Sequence, residues 1–165
     1  MPLGVNRKTC ETLGYRAPCI ILGSGEHMMP SIDAIEYGYV RTIDLPFEEA
    51  VKRTEAALKA EGCGVLCQID IQAKRKAKLG IDFPRYNILG ACNPQLANQA
   101  LQEEINLGLL LPCSAVVYER GGQVHVGVVD AVKMLSVVGN PHMETVAMQV
   151  TDGLRRVVDS VAERT

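Results

Sequence analysis

The side chains of this chain best placed for chemistry are two thiols, Cys92 in Gly90-Ala-Cys-Asn-Pro94 and Cys113 in Leu110-Leu-Pro-Cys113. Asn93 suits a helix N-cap and Pro94 the first helical position, so a helix is expected to open one residue after Cys92. A thiol beside a positive helix end has its pKa lowered and its thiolate fraction raised. The run from Leu109 to Pro112 leads into a strand beginning at Cys113, and paired strands lie about 4.8 Å apart. If the two strands pair, the thiols become neighbours. Such a pair supports two kinds of chemistry. It can supply soft sulfur ligands to a metal or haem, or line a small-ligand site, with Asn93 beside it. Alternatively Cys92 acts as a nucleophilic or peroxidatic thiol and Cys113 as its partner, with Asn93 or the helix amides stabilising an anion. Both cysteines also fit as small buried apolar side chains with no role beyond packing.

A second group of candidates lies on the hairpin that follows. Gly121-Gly122 is a strong two-residue turn between Ser114 to Arg120 and Gln123 to Asp130. It sets Tyr118 opposite His125, Val117 opposite Val126, Ala115 opposite Val128 and Cys113 opposite Asp130. Alternation then places Cys113, Ala115, Val117, Val124, Val126 and Val128 on one apolar face, with Tyr118 and His125 on the other. A histidine beside a tyrosine reads as a proton-transfer pair, an axial ligand or an ordinary cross-strand contact. The ligand-site reading therefore comprises Cys92, Asn93, Cys113, Tyr118, His125 and Asp130, and a metal reading rests on Cys92 and Cys113. Two cysteines alone leave a closed metal site incomplete unless a second copy completes it.

Other elements must position these groups. A strand is expected from Tyr39 to Leu45, then a helix from Pro46 burying Phe47, Ala50, Val51, Thr54, Ala57 and Leu58. Gly62 and Gly64 introduce a strand in which Cys63, Val65, Cys67, Ile69 and Ile71 share a face, so Cys63 and Cys67 read as core residues. Gln72 to Leu79 is a short helix bearing Lys74, Arg75, Lys76 and Lys78; it reads as a solvated face with Ala73 and Ala77 turned inward, or as a phosphate site joined by Arg85. Arg85 to Ala91 is extended. The helix from Pro94 to Asn106 buries Leu96, Ala97, Ala100, Leu101 and Ile105 and stops at Gly108. Asn140-Pro141 opens a last helix whose stripe is Met143, Ala147, Val150, Leu154, Val157 and Val161. Gly153 within it suggests a close backbone approach, and His142 in its first turn reads as exposed.

Composition narrows the class. The 165 residues are 47% hydrophobic and 22% charged, which suits one soluble domain. A net charge of −2, no Trp and only two Phe argue against a nucleic-acid binder. The longest apolar stretch, Leu107 to Val117, is broken by Pro112 and is too short to span a bilayer. Without a convincing secretory signal, the six cysteines read as reduced thiols of a cytoplasmic protein. Residues 1–37 read as a loose extension, with Met28 or Met29 as an alternative start, and Cys10, Cys19 and His27 in it match no zinc spacing. Residues 38–165 form the single domain.

The run from Leu79-Gly80-Ile81-Asp82 through Gly90-Ala-Cys-Asn-Pro94, Ala97, Ala100-Leu101 and Gly108-Leu-Leu-Leu-Pro-Cys113 resembles the bacterial and archaeal family called domain of unknown function 302. The resemblance extends from about Tyr39 to the C-terminus. Ser114, Cys63 and Asp130-Ala131 depart from it, standing where the family usually has asparagine, an aromatic residue and Asp-Pro. It implies a small α+β domain that pairs into a dimer, and no particular reaction. The element order read from the chain, β-α-β-α-β-α-β-β-α, agrees with that class: a mixed sheet with helices mainly on one face. The uncovered face requires a partner surface, and a homodimer is the simplest source.

Overall fold

The computed structural model describes residues 35–163, so the readings on Cys10, Cys19, His27, Met28 and Met29 lie outside the described residues. Among the described residues five strands, β1 (Gly38–Ile43), β2 (Gly64–Asp70), β3 (Tyr86–Cys92), β4 (Cys113–Arg120) and β5 (Gln123–Val129), form one sheet in the order β1-β5-β4-β3-β2. Five helices accompany them: α1 (Phe47–Ala60), α2 (Ile71–Leu79), α3 (Pro94–Glu103), α4 (Ala131–Leu135) and α5 (Glu144–Ala162). The α+β class and the order of the main elements are as expected, with α4 added before the last helix. Every strand pair is antiparallel, however, not mixed. A parallel pair requires a crossover that packs on a sheet face. Here α2 buries none of its residues and returns the chain beside β2.

The hairpin register is the expected one, with Tyr118 opposite His125, Val117 opposite Val126 and Ala115 opposite Val128; β5 ends at Val129, one residue short of the Cys113–Asp130 pair. Cys113, Ala115, Val117, Val124, Val126 and Val128 are all buried on one face. Onto it pack Phe47, Ala50, Val51 and Leu58 of α1 and Leu154, Val157, Val158 and Val161 of α5. A second cluster, Ala100, Leu107, Leu135, Met143, Val146 and Ala147, joins α3, α4 and the start of α5. Met134 and Val150 pack against both clusters. No described helix is long and apolar enough to cross a membrane.

Several local expectations change. The β2–β3 register shifts between Val65 and Cys67, so an extra residue, Leu66, breaks the alternation. Val65 and Cys67 therefore do not share a face, and Cys67 is exposed while Cys63 is half-buried. Ala73 and Ala77 are exposed. The basic cluster does not converge with Arg85: Lys76 pairs with Asp82, and Arg75 lies over the Phe83 ring, whereas Arg85 bonds Glu48 and Glu119. Helix α3 ends at Glu103, a 3₁₀ segment covers Ile105–Leu110, and Ile105 is exposed. The last helix begins with a 3₁₀ turn at Pro141–Met143, where Asn140 accepts from the His142 amide; His142 is exposed, as expected.

Two glycines test the packing in opposite directions. A methyl at Gly90 would lie 2.6 Å from Cys67 Sγ and 2.8 Å from Pro112 Cγ, whereas one at Gly153 would meet nothing closer than Arg156 and Glu61, both at 3.6 Å. The close approach expected at Gly153 is thus found at Gly90 instead. In urea unfolding, Gly90→Ala is expected to lose about 1–3 kcal/mol through overpacking. Gly153→Ala is expected to gain up to about 1 kcal/mol from helix propensity. Equal effects at the two sites would contradict this packing.

Candidate functional site

Three thiols meet at one end of the sheet. The register pairs Gly64 with Cys92 and Ala91 with Cys113, so Cys63, Cys92 and Cys113 fall at the same end of β2, β3 and β4. All three line a cavity of about 240 Å³ whose remaining walls come from α3, α4, α5 and the loop before β4. The walls are mostly apolar, with Leu96, Ala97, Ala100, Leu111, Val146 and Val150 among them. Polar side chains stand at Glu61, Asn93, Gln149 and Arg156.

Asn93 is held as the expected N-cap. Its Oδ1 accepts from the Gln95 amide at 3.1 Å and the Leu96 amide at 3.2 Å, with Pro94 in the first turn. Cys92, the last residue of β3, places its Sγ 3.8 Å from the Asn93 carbonyl, and Cys63 Sγ lies 3.9 Å from the carbonyl of Glu61. Burial pushes the thiols of Cys63 and Cys92 above their ordinary range and that of Cys113 up to about 11, each thiolate being further opposed by a neighbouring thiol at Cys63 and Cys113. The lowered pKa expected for Cys92 is therefore reversed: desolvation outweighs the helix end. All three are neutral thiols at pH 7.

The remaining candidates are elsewhere. Tyr118 and His125 stack at 5.0 Å on the face of the sheet away from the cavity, and the stack continues to Tyr86 at 5.3 Å. His125 is buried, with Nδ1 3.1 Å from Thr42 Oγ1 and Nε2 3.4 Å from the Arg120 carbonyl. A carbonyl only accepts, so Nε2 carries a proton toward Arg120, and the Thr42 hydroxyl is the partner of Nδ1. Both ring nitrogens thus have partners within the sheet. Asp130 caps α4 by accepting from the Lys133 amide at 3.0 Å, and its other oxygen accepts from Arg155 at 3.1 Å. It does not line the cavity, although Ala131 beside it does.

Among the described residues no cluster of three or more His, Cys, Asp or Glu could hold a metal ion. Among the described residues Cys92 and Cys113 are therefore not part of a metal-holding cluster. A second, more open groove of about 420 Å³ lies between α1 and the β2–β3 edge; Lys52 and Arg85 are its basic residues, and Arg85 is paired with Glu48 and with Glu119 beyond the groove. The mouth residues Glu61 and Arg156 were not candidates in the sequence. They are 95 positions apart, and no local pattern connects them.

Residues 39–161 match the family described as Domain of unknown function DUF302. Among solved structures, the chain is similar to an uncharacterized conserved DUF302 protein from Bacillus stearothermophilus. The two share 30% sequence identity and superpose with a TM-score of 0.73, covering 78% of this chain and 100% of that one. No protein of curated function matches. The family match spans β1 to α5 and includes both cysteine corners, so this chain belongs to the DUF302 family.

Proposed function

We propose that the protein is a homodimeric binding or sensing module that holds a small, mostly apolar ligand in the cavity at Cys63, Cys92 and Cys113. The observation that carries this reading is the cavity itself, a concave, apolar space with a few polar groups at its rim, the usual form of a small-molecule site. Neutral thiols suit it as polarizable apolar walls. The same protonation counts against the alternative, a redox enzyme with Cys92 as reactive cysteine and Cys113 as its partner, since the thiolate is the nucleophile. The reading assigns the protein to the cytoplasm, where its free thiols stay reduced.

The second copy is assigned to β2. All seven of its residues are exposed, and Val65, Leu66 and Ile69 present apolar side chains along a strand that ends the sheet. The strand carries no charge before Asp70, so an identical strand is a fitting antiparallel partner.

Three outcomes test these assignments. Native mass spectrometry of protein purified without denaturation is expected to show a small organic mass, which Ala97→Leu removes by filling the cavity; a bare wild-type protein that also takes up no added apolar compound would sink the binding reading. Light scattering on the eluting protein is expected to report a dimer that Leu66→Lys converts to a folded monomer, and a monomeric wild type would remove the dimer. Because the folded-state pKa of Cys113 lies above the ordinary thiol value, the neutral thiol's contribution to stability is complete below about pH 9 and is lost progressively toward pH 11. Urea midpoints of the wild type should fall across that window more steeply than those of Cys113→Ala, and parallel pH profiles would contradict the burial of this thiol.

A further inference from the structure

We propose, resting on the reading of the cavity as a binding site, that its occupant is a small carboxylate amphiphile whose head sits against Arg156 and whose apolar body fills the cavity. The mouth is built from residues far apart in the sequence. Glu61, the C-cap of α1, receives Arg156 of α5 in a forked ion pair: Nε lies 3.2 and 3.1 Å from the two carboxylate oxygens, and Nη2 2.6 Å from Oε2. A guanidinium has five N–H donors, and this pair uses only Nε and Nη2. Nη1 makes no hydrogen bond among the described residues. Asn93 presents a second donor at the mouth, because its Oδ1 is committed to the Gln95 and Leu96 amides and its Nδ2 is not. The amide of Gln149 is a third polar group there.

Nη1 of Arg156 and Nδ2 of Asn93 are therefore the free donors, and Glu61 is the anion that already pairs with the guanidinium. An incoming carboxylate has the same charge and planar shape and can take a bidentate place on Arg156. Beyond the rim the walls offer thiols and aliphatic groups, with no partner for a second charged end. The volume of about 240 Å³ limits the body to a compact chain or ring. A cationic head would have to displace Arg156 from Glu61, and a neutral one would forgo the ion pair.

Titration calorimetry of the full-length protein with octanoate, octanol and octylamine separates the head from the cavity. Octanoate is expected to bind at least about tenfold more tightly than octanol, a difference of about 1.4 kcal/mol, and octylamine more weakly than either. Arg156→Gln should bring octanoate down to the level of octanol while leaving octanol binding unchanged, which also shows that the variant is folded with its cavity intact. Glu61→Gln should strengthen octanoate binding several-fold, since the competing carboxylate is gone. Equal affinity for octanoate and octanol, or octanoate binding insensitive to both substitutions, overturns the carboxylate assignment and leaves the cavity reading standing. Failure of all three compounds to bind overturns both.

Discussion

The arrangement at the end of the sheet depends on one packing constraint: small side chains stand where the helices come together. Ala91 and Cys113 form the floor, Ala97 and Ala100 face it from α3, Ala131 from α4 and Gly153 from α5. Protein interiors are normally filled to crystal-like density, and side chains this short cannot close the distance between a helix and a sheet. The space persists because α5 is held by its flanks. Leu154, Val157, Val158 and Val161 fix its later turns on the sheet, and Val146 and Ala147 fix its start against Ala100, Leu107 and Leu135. The helix spans two apolar clusters and cannot settle into the gap between them without leaving one.

That seam also explains why the thiols belong to the site. The cavity opens where the two clusters meet, at Met134 and Val150, and the strands that end there place Cys63, Cys92 and Cys113 along one side. The opposite face of the sheet is organised on different principles. Tyr86, Tyr118 and His125 stack across three strands, and His125 closes the row by bonding Thr42 on β1. Charge is added at the margins, where Arg41 and Tyr39 share the Asp159 carboxylate and hold β1 to α5. These exposed pairs each contribute modestly, and their role is to fix register and orientation.

Much of this was legible where the determinants are local. The Gly121-Gly122 turn specified the register of β4 and β5, and with it the separation of Cys113 from His125. Heptad-like spacing gave the buried stripe of α5, and Asn93-Pro94 gave the start of α3. Readings failed where a non-local or irregular feature decided the outcome. A single extra residue at Leu66 reversed the parity of β2, and alternation has no means of detecting a bulge. The alanines of α2 looked inward-facing, yet that helix has nothing to bury against. Strand direction was also hidden, since a helix between two strands suits a crossover or a simple return. The joining of Glu61 to Arg156 depends on how α1 and α5 lie on the sheet, and sequence spacing carries no trace of it.

The reversal at Cys92 shows how two electrostatic effects compete at the corner. A helix N-terminus favours an anion by about 0.3–1 kcal/mol at an exposed position, which is less than one pKa unit. Here its first-turn amides are already satisfied: Asn93 Oδ1 takes those of Gln95 and Leu96, and the Asn93 carbonyl takes that of Ala97. The donors that would stabilise a thiolate are thereby spent on capping. Burial among apolar walls penalises the charged form, and it prevails at all three cysteines. A corner with the outward signs of an activated cysteine thus becomes a neutral wall. The charged groups stand instead at the mouth, where Arg156 pairs with Glu61, and the thiols line the apolar interior.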